Sequence, residues 1–290
     1  MALIPRVAIH LNRETNSGVK YDPARDLVAL YAAGTGSGSF YREVARTADC
    51  APEDVVAGDL VLYNNQPGTV WGAEGEFVSA PRLDDLACVF ACTEGFLTAQ
   101  ERDMVPVLCV FDNEEIGSET KQGAASVFLP ETLAAISEAL GLSAADHRAL
   151  LADSMMLSCD NGHARHPNHP ELADTNEAPA LNGGVVVKHS PRYATDGVSA
   201  AVFTELCRRA EVPVQHYANR PDQMGGATLG NIADTKLPIP TVDIGMAQLA
   251  MHSAMETASC ADAEYMAKAV AEYYNTPIFQ PKDGEWKLGL

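Results

Sequence analysis

Apolar residues along this chain follow two rhythms. Leu83, Leu86, Ala87, Phe90, Ala91 and Leu97 recur every three or four positions, which predicts an amphipathic helix over residues 83–99. The run at 105–111, VPVLCVF, is instead continuous, short, and rich in β-branched and aromatic residues, as a buried strand would be. Further helices are predicted over 132–140, 146–155 and 262–274, and one from a cap at Asp196 to about residue 210. Strands are predicted over 156–159, 185–188, 214–217 and 241–244. Strands alternating with helices predict an α/β fold on a mostly parallel sheet covered on both faces. Before Phe77 the rhythm differs. Strand patterns at 7–11 and 59–63, with loose loops and little helix, predict a small β-rich unit over 1–76, leaving 77–290 as a second domain. GTGSGS at 34–39 reads as a flexible loop rather than a phosphate loop, because no Gly-Lys-Ser/Thr follows.

Composition narrows the function classes. With 290 residues and 47% hydrophobic content, the chain can bury one large core or two smaller ones. Its formal net charge of −19 argues against nucleic acid and anionic membranes as partners, since both demand basic patches. No apolar run approaches the roughly 18 residues of a membrane span, and the opening MALIPRVAIHL lacks the long apolar core of a secretory signal. The seven cysteines are scattered, with no Cys-x-x-Cys, which predicts a reduced, cytoplasmic setting. Cys88 and Cys92, four apart on a predicted helix, read as core packing.

The polar residues at the ends of these elements carry the candidate chemistry. The apolar run at 105–111 gives way abruptly to Asp112, Asn113, Glu114 and Glu115, placing charge at the carboxyl edge of a sheet, where open α/β folds build their sites. Two adjacent glutamates can divide two tasks: one holds a cation while the other takes a proton from water. Asp84 opens the first helix, Asp160 follows the strand at 156–159, and His252 follows the strand at 241–244. Three carboxylates and an imidazole from four elements suit zinc, cobalt or manganese and are unlike a sulfur-bound structural site. Each also has a bland reading: Asp84 as a helix cap, Asp160 as a turn residue, His252 as a satisfied core histidine. His163, His166 and His169, with Pro167 and Pro170 among them, fit an irregular loop better than a ligand tract.

Six segments in order, AIHLNRE, SAPRLDDL, FDNEEIGS, CDNGHARHPNH, RYATDG and QLAMHSAMET, resemble the aspartyl aminopeptidase family of dinuclear zinc metallopeptidases over nearly the whole chain. The resemblance implies a three-layer α/β/α peptidase domain, incomplete at its amino terminus, with an inserted β-rich interface domain to which residues 12–76 would belong. It implies two zinc ions per subunit, with Co2+ or Mn2+ as substitutes. Asp84 would bridge them, Glu115 and Asp160 would each hold one, and His252 would complete one shell. Glu114 would be the general base and acid. Lys188 would meet the acidic side chain of the substrate's first residue, with Tyr193 of the RYATDG segment beside it in the substrate site. His10 would reach the active site of a neighbouring subunit. The implied activity is release of amino-terminal Asp or Glu from peptides by a metal-activated water, in a homo-oligomer that reaches a dimer-based dodecamer.

The departures from the family pattern matter as well. The family begins with a segment bearing a His-Thr-Asp motif whose histidine is a further zinc ligand. None of the eight histidines here sits in a His-x-Asp sequence. The chain is therefore expected to be an amino-terminally truncated form with an incomplete metal shell and weak or absent turnover. Asp85 stands where Asn is usual, QMGGATLG replaces a Pro-Cys-Gly-Thr-Thr-Ile-Gly run, and Met255 takes a place often held by Arg. Two other readings stand beside the peptidase: an assembly subunit that does not catalyse, and a hydrolase of N-acyl amino acids.

Overall fold

A computed structural model describes residues 1–289 other than 6, 13–16, 35, 37, 101–103, 224 and 283. Thr35 and Ser37 of the glycine-rich loop, Arg13 and Glu14 of AIHLNRE, and Met224 of QMGGATLG lie outside the described residues. The chain forms two compact units, Met1–Leu62 and Tyr63–Leu290.

In the first unit, α1 (Pro23–Asp26) is capped by Asp22, whose Oδ1 accepts from the Ala24 N–H, and α2 (Ser39–Thr47) starts after Gly38, which has φ 79°. Leu3 and Leu30 form an isolated antiparallel bridge. The strands expected at 7–11 and 59–63 do not form: Ile9–Leu11 make a turn, and 59–63 have no ladder partner among the described residues. An apolar stretch becomes a strand only when a neighbour takes up its alternating N–H and C=O groups. Val7, Ile9, Leu11, Val61 and Leu62 are all exposed.

The second unit is mixed α/β. Its elements run β1 (Thr69–Trp71), β2 (Phe77–Ala80), α3 (Leu83–Leu97), α4 (Phe128–Ala139), α5 (Ala144–Ala152), β3 (Met156–Cys159), β4 (Gly162–His163) and β5 (Val185–His189). They continue with α6 (Gly197–Arg209), β6 (Val214–Ala218), α7 (Leu229–Asp234), β7 (Thr241–Gly245), β8 (Ala247–Leu249), β9 (Glu256–Ser259), α8 (Cys260–Asn275), β10 (Ile278–Lys282) and β11 (Glu285–Leu288). One sheet has the order β3-β7-β5-β6, a second β1-β2-β9-β8-β4, and β10 pairs with β11. In the first sheet β3–β7 and β5–β6 are parallel but β5–β7 is antiparallel, so the sheet is mixed.

Three consecutive valines at the centre of the first sheet explain its layering. Side chains alternate faces along a strand. Val185 and Val187 join α3, α6 and α8 in the main core, whereas Val186 packs with Ala164 and Ala247 in a smaller cluster. A strand buried on both faces must be apolar throughout, as this one is. Helices α3 and α8 pack closely in the main core. A Cβ added at Gly95 would lie 2.7 Å from Val270 Cγ1 and 2.9 Å from the Ala271 nitrogen, so only glycine allows this approach. Cys88 and Cys92 are buried in that core, as their spacing predicts.

The strand expected at 105–111 is absent. These residues join no ladder among the described residues, and Val105, Val107 and Val110 are exposed. The segment is tied in by Tyr274, whose hydroxyl donates to the Val107 carbonyl, and by Leu108, which packs against the core. Its composition is that of a strand, but the described residues offer it no neighbour. No described helix is long and apolar enough to cross a membrane.

Candidate metal centre

The second sheet brings the candidate donors together. Ala80 of β2 pairs with Glu256 of β9, and β9 pairs antiparallel with β8. The chain leaving β2 thus reaches Asp84 beside the β8–β9 connection, which carries His252. Asp84 departs from helical geometry (φ −83°, ψ 116°), and the Asp84–Asp85 peptide is cis. Glu114 and Glu115 sit in a short 3₁₀ turn, entered through Asn113 at φ 60° and left through Gly117 at φ 101°. Both flanking residues occupy the left-handed region that such tight turns require.

His252 Nε2 lies 3.1 Å from Asp84 Oδ2 and 3.0 Å from Glu115 Oε2. One donor atom from each of these three side chains lies within 4.8 Å of the others. The Asp84 side chain is 5% exposed, and its Oδ1 is buried with no hydrogen-bond partner among the described residues. A buried carboxylate oxygen without a partner is costly, and a divalent cation would satisfy it. The donor set therefore fits a metal of the zinc type.

Asp160 follows β3, and its N–H donates to the Ile244 carbonyl of β7. Its carboxylate is claimed by Lys188, whose Nζ lies 3.0 Å from Asp160 Oδ2 and 2.8 Å from the Asn161 carbonyl oxygen. Lys188 is 1% exposed and lies 5.6 Å from the centre of the Tyr193 ring. The family resemblance implies a lysine that meets the substrate's first side chain; here Lys188 is buried against Asp160. Burial works against its charge, but Asp160 outweighs that and holds the ammonium above its usual range. Asp160 is outside the three-donor group. His163 ends β4, paired in parallel with Gln248 of β8, whereas His166 and His169 lie in an irregular loop as their prolines predict, with their rings 5.2 Å apart. His10 lies in a turn of the first unit and is exposed.

Crowded carboxylates dominate the electrostatics. Burial, reinforced by the charges of Asp160 and Glu115, pushes Asp84 up to about 8. Burial and Asp160 push Asp85 up to about 7. Glu114 is likewise raised to about 7 by burial and by Asp160 and Glu115, and Glu115 is raised chiefly by burial. With Lys188 as a buried countercharge, the cluster still holds more carboxylates than cations and favours protons or a metal ion.

Two residues missed in the sequence organise this region. Buried Asn161 donates through Nδ2 to the Leu83 carbonyl and to Gln248 Oε1, each at 2.8 Å, joining the start of α3 to β8. Glu256, 2% exposed, accepts from the N–H groups of Asp84 and His252. Asn161 directly follows Asp160, and Glu256 lies four residues after His252 within QLAMHSAMET, which could have drawn attention to both.

The sequence model for aminopeptidase I zinc metalloproteases, M18, matches residues 1–274. This chain belongs to the M18 family. Among relatives of the M18 chain is a probable M18 family aminopeptidase 2 from Mycobacterium leprae, 38% identical over 278 residues, covering 95% of this chain and 65% of that protein. The M18 chain thus spans about two thirds of the length of the curated relatives it matches. A crystal structure of prApe1 superposes with a TM-score of 0.86 at 27% identity, over 94% of this chain and 62% of the other. A structure of the S. cerevisiae mApe1 dodecamer gives 0.70 at 30% identity, over 81% and 54%.

Proposed function

We propose that this M18 chain carries the metal centre of a zinc-dependent aminopeptidase that removes amino-terminal Asp or Glu from peptides. The observation that carries this reading is the convergence of Asp84, Glu115 and His252 donor atoms within 4.8 Å, beside an unsatisfied buried Asp84 oxygen. Asp84, Glu115 and His252, with Asp160 beside them, are the residues that would hold the zinc. Zinc bound there supplies Lewis acidity toward a carbonyl and acidifies a water molecule.

Glu114 adjoins Glu115 in sequence but is outside the three-donor group. With its carboxyl raised to about 7, it can accept a proton from water and return it to a leaving amine near neutral pH. Lys188 contributes a buried positive charge behind Asp160, which favours a negatively charged substrate side chain over an apolar one. Tyr193, against Lys188, lines the same side. The mApe1 dodecamer supports assembly into a homo-oligomer. In that assembly the residues before Phe77 serve as interface and His10 serves a neighbouring subunit's site. The acidic charge balance suits a cytoplasmic enzyme.

The test is Glu114→Gln in the intact gene product. Hydrolysis of aspartyl and glutamyl amides should fall by about 10²-fold or more while bound zinc is unchanged. Retained turnover would remove Glu114 from the reaction, and equal turnover of leucyl and aspartyl amides by the unmodified protein would sink the acidic preference.

A further inference from the structure

Glu256 opens β9 and is buried, yet its carboxylate is held by no cationic side chain among the described residues. Its oxygens are instead divided between two backbone N–H groups. Oε2 accepts from Asp84 at 2.9 Å, and Oε1 accepts from His252 at 2.7 Å. Those two backbones lie far apart in the chain, one at the entry to α3 and the other between β8 and β9. Both leave the regular geometry of their surroundings. Asp84 has ψ 116° inside a helix, and His252 has φ 65°, in the left-handed region that a non-glycine residue occupies only when neighbouring structure enforces it.

We propose that Glu256 is a positioning residue for the metal centre, a buried clamp that fixes the Asp84 and His252 backbones relative to each other. The inference rests on reading Asp84 and His252 as metal ligands. A carboxylate suits this task because it offers two acceptor oxygens and no donor. Glutamine keeps the shape but has one oxygen, so its NH2 group would face one of the two N–H donors and release that loop. The side chain also fixes the hairpin end of β8–β9, which a purely architectural residue would do as well. The two roles differ in what they do to metal affinity.

The experiment compares Glu256→Gln with Asp262→Asn in the intact protein. Asp262 is also fully buried and also accepts two backbone N–H groups, from Asn182 and Gly184 at 2.8 Å each, but it touches none of the three donors. Zinc affinity is read by competition with a chromophoric chelator, and ligand geometry by the visible absorption of the Co2+-loaded protein. Both variants should melt earlier than the unmodified protein. Glu256→Gln alone should weaken zinc binding by about tenfold or more and alter the Co2+ spectrum. If Glu256→Gln does not fold, Glu256→Asp replaces it. That side chain keeps the charge but is one methylene too short to reach both N–H groups, and the same loss is expected. Zinc affinity unchanged in the Glu256 variant, or lowered no more than in Asp262→Asn, would overturn the proposal. Absence of zinc binding by the unmodified protein would instead overturn the ligand reading, and the clamp with it.

Discussion

Lys188 Nζ lies 3.0 Å from Asp160 Oδ2, with the lysine 1% and the aspartate 13% exposed. A pair this deep is destabilising to break, because the surviving charge keeps its desolvation cost without its partner. Lys188→Met should therefore lower unfolding stability by about 3–5 kcal/mol in metal-free protein. Zinc should recover more stability in this variant than in the unmodified protein if Asp160 is a ligand, since the ion restores a countercharge. Urea denaturation with and without zinc measures both effects. Equal recovery in the two proteins would separate Asp160 from the metal.

The acidic cluster sets a pH dependence whose sign is fixed. Asp84 is raised from 3.8 to about 8, Asp85 from 3.8 to about 7, and Glu114 from 4.5 to about 7. Between these limits the folded, metal-free protein holds more protons than the unfolded chain, so its stability falls as pH rises from about 4 to about 8. Zinc competes with the same protons. Binding at pH 7 should release protons, and affinity should rise through pH 7–8. Titration calorimetry in buffers of different ionisation enthalpy counts the protons, and no release at pH 6.5 would contradict the clustering.

Gly95→Ala tests the α3–α8 contact. Alanine gains up to about 1 kcal/mol over glycine in a helix interior. Here its methyl meets Val270 Cγ1 at 2.7 Å and the Ala271 backbone nitrogen at 2.9 Å. Overpacking costs about 1–3 kcal/mol, and a backbone atom cannot rotate aside. The packing cost should win, lowering the melting temperature. A higher melting temperature would mean the helices separate more easily than their packing suggests.

Asp243 tests the loop that carries Tyr193. It is fully buried on β7. Its Oδ1 accepts from Ser158 Oγ and Thr228 Oγ1 at 2.6 Å each, and its Oδ2 accepts from the Ala194 N–H at 2.5 Å. Asp243→Asn places an NH2 group against one of these donors and should cost about 1.5–3 kcal/mol. Faster amide exchange confined to residues 193–196 and 228 would accompany it; unchanged exchange there would assign the loss to the core instead.

Long periodic elements were legible from sequence because burial imposes their rhythm. The helix from Leu83 and the strands at Met156, Val185, Val214 and Thr241 all appear close to their expected bounds. The segment at 105–111 has the composition of a strand, but pairing depends on a neighbour that composition does not reveal. Among the site residues, Asp84, Glu115 and His252 stood out because each ends an element and carries a ligand atom. Lys188 was placed correctly at the end of β5, yet its orientation toward Asp160 depends on side-chain packing between strands that sequence spacing does not encode. Glu256 and Asn161 were missed for a related reason: the partners that give them their roles include the Asp84 N–H, the Leu83 carbonyl and the Gln248 amide, all distant in the chain.

The exposed valines at 105, 107 and 110 bear on how the protein behaves in concentrated solution. An exposed apolar segment outside any ladder can recruit the same segment of another molecule, and solubility then depends on what opposes that encounter. Here the opposition comes from exposed Asp112 immediately downstream and from the formal net charge of −19 that each copy carries. Repulsion between exposed charges weakens as ionic strength rises. Salting the buffer, the usual remedy for a sticky preparation, should therefore hasten precipitation of this protein, and dilute buffer should keep it clear.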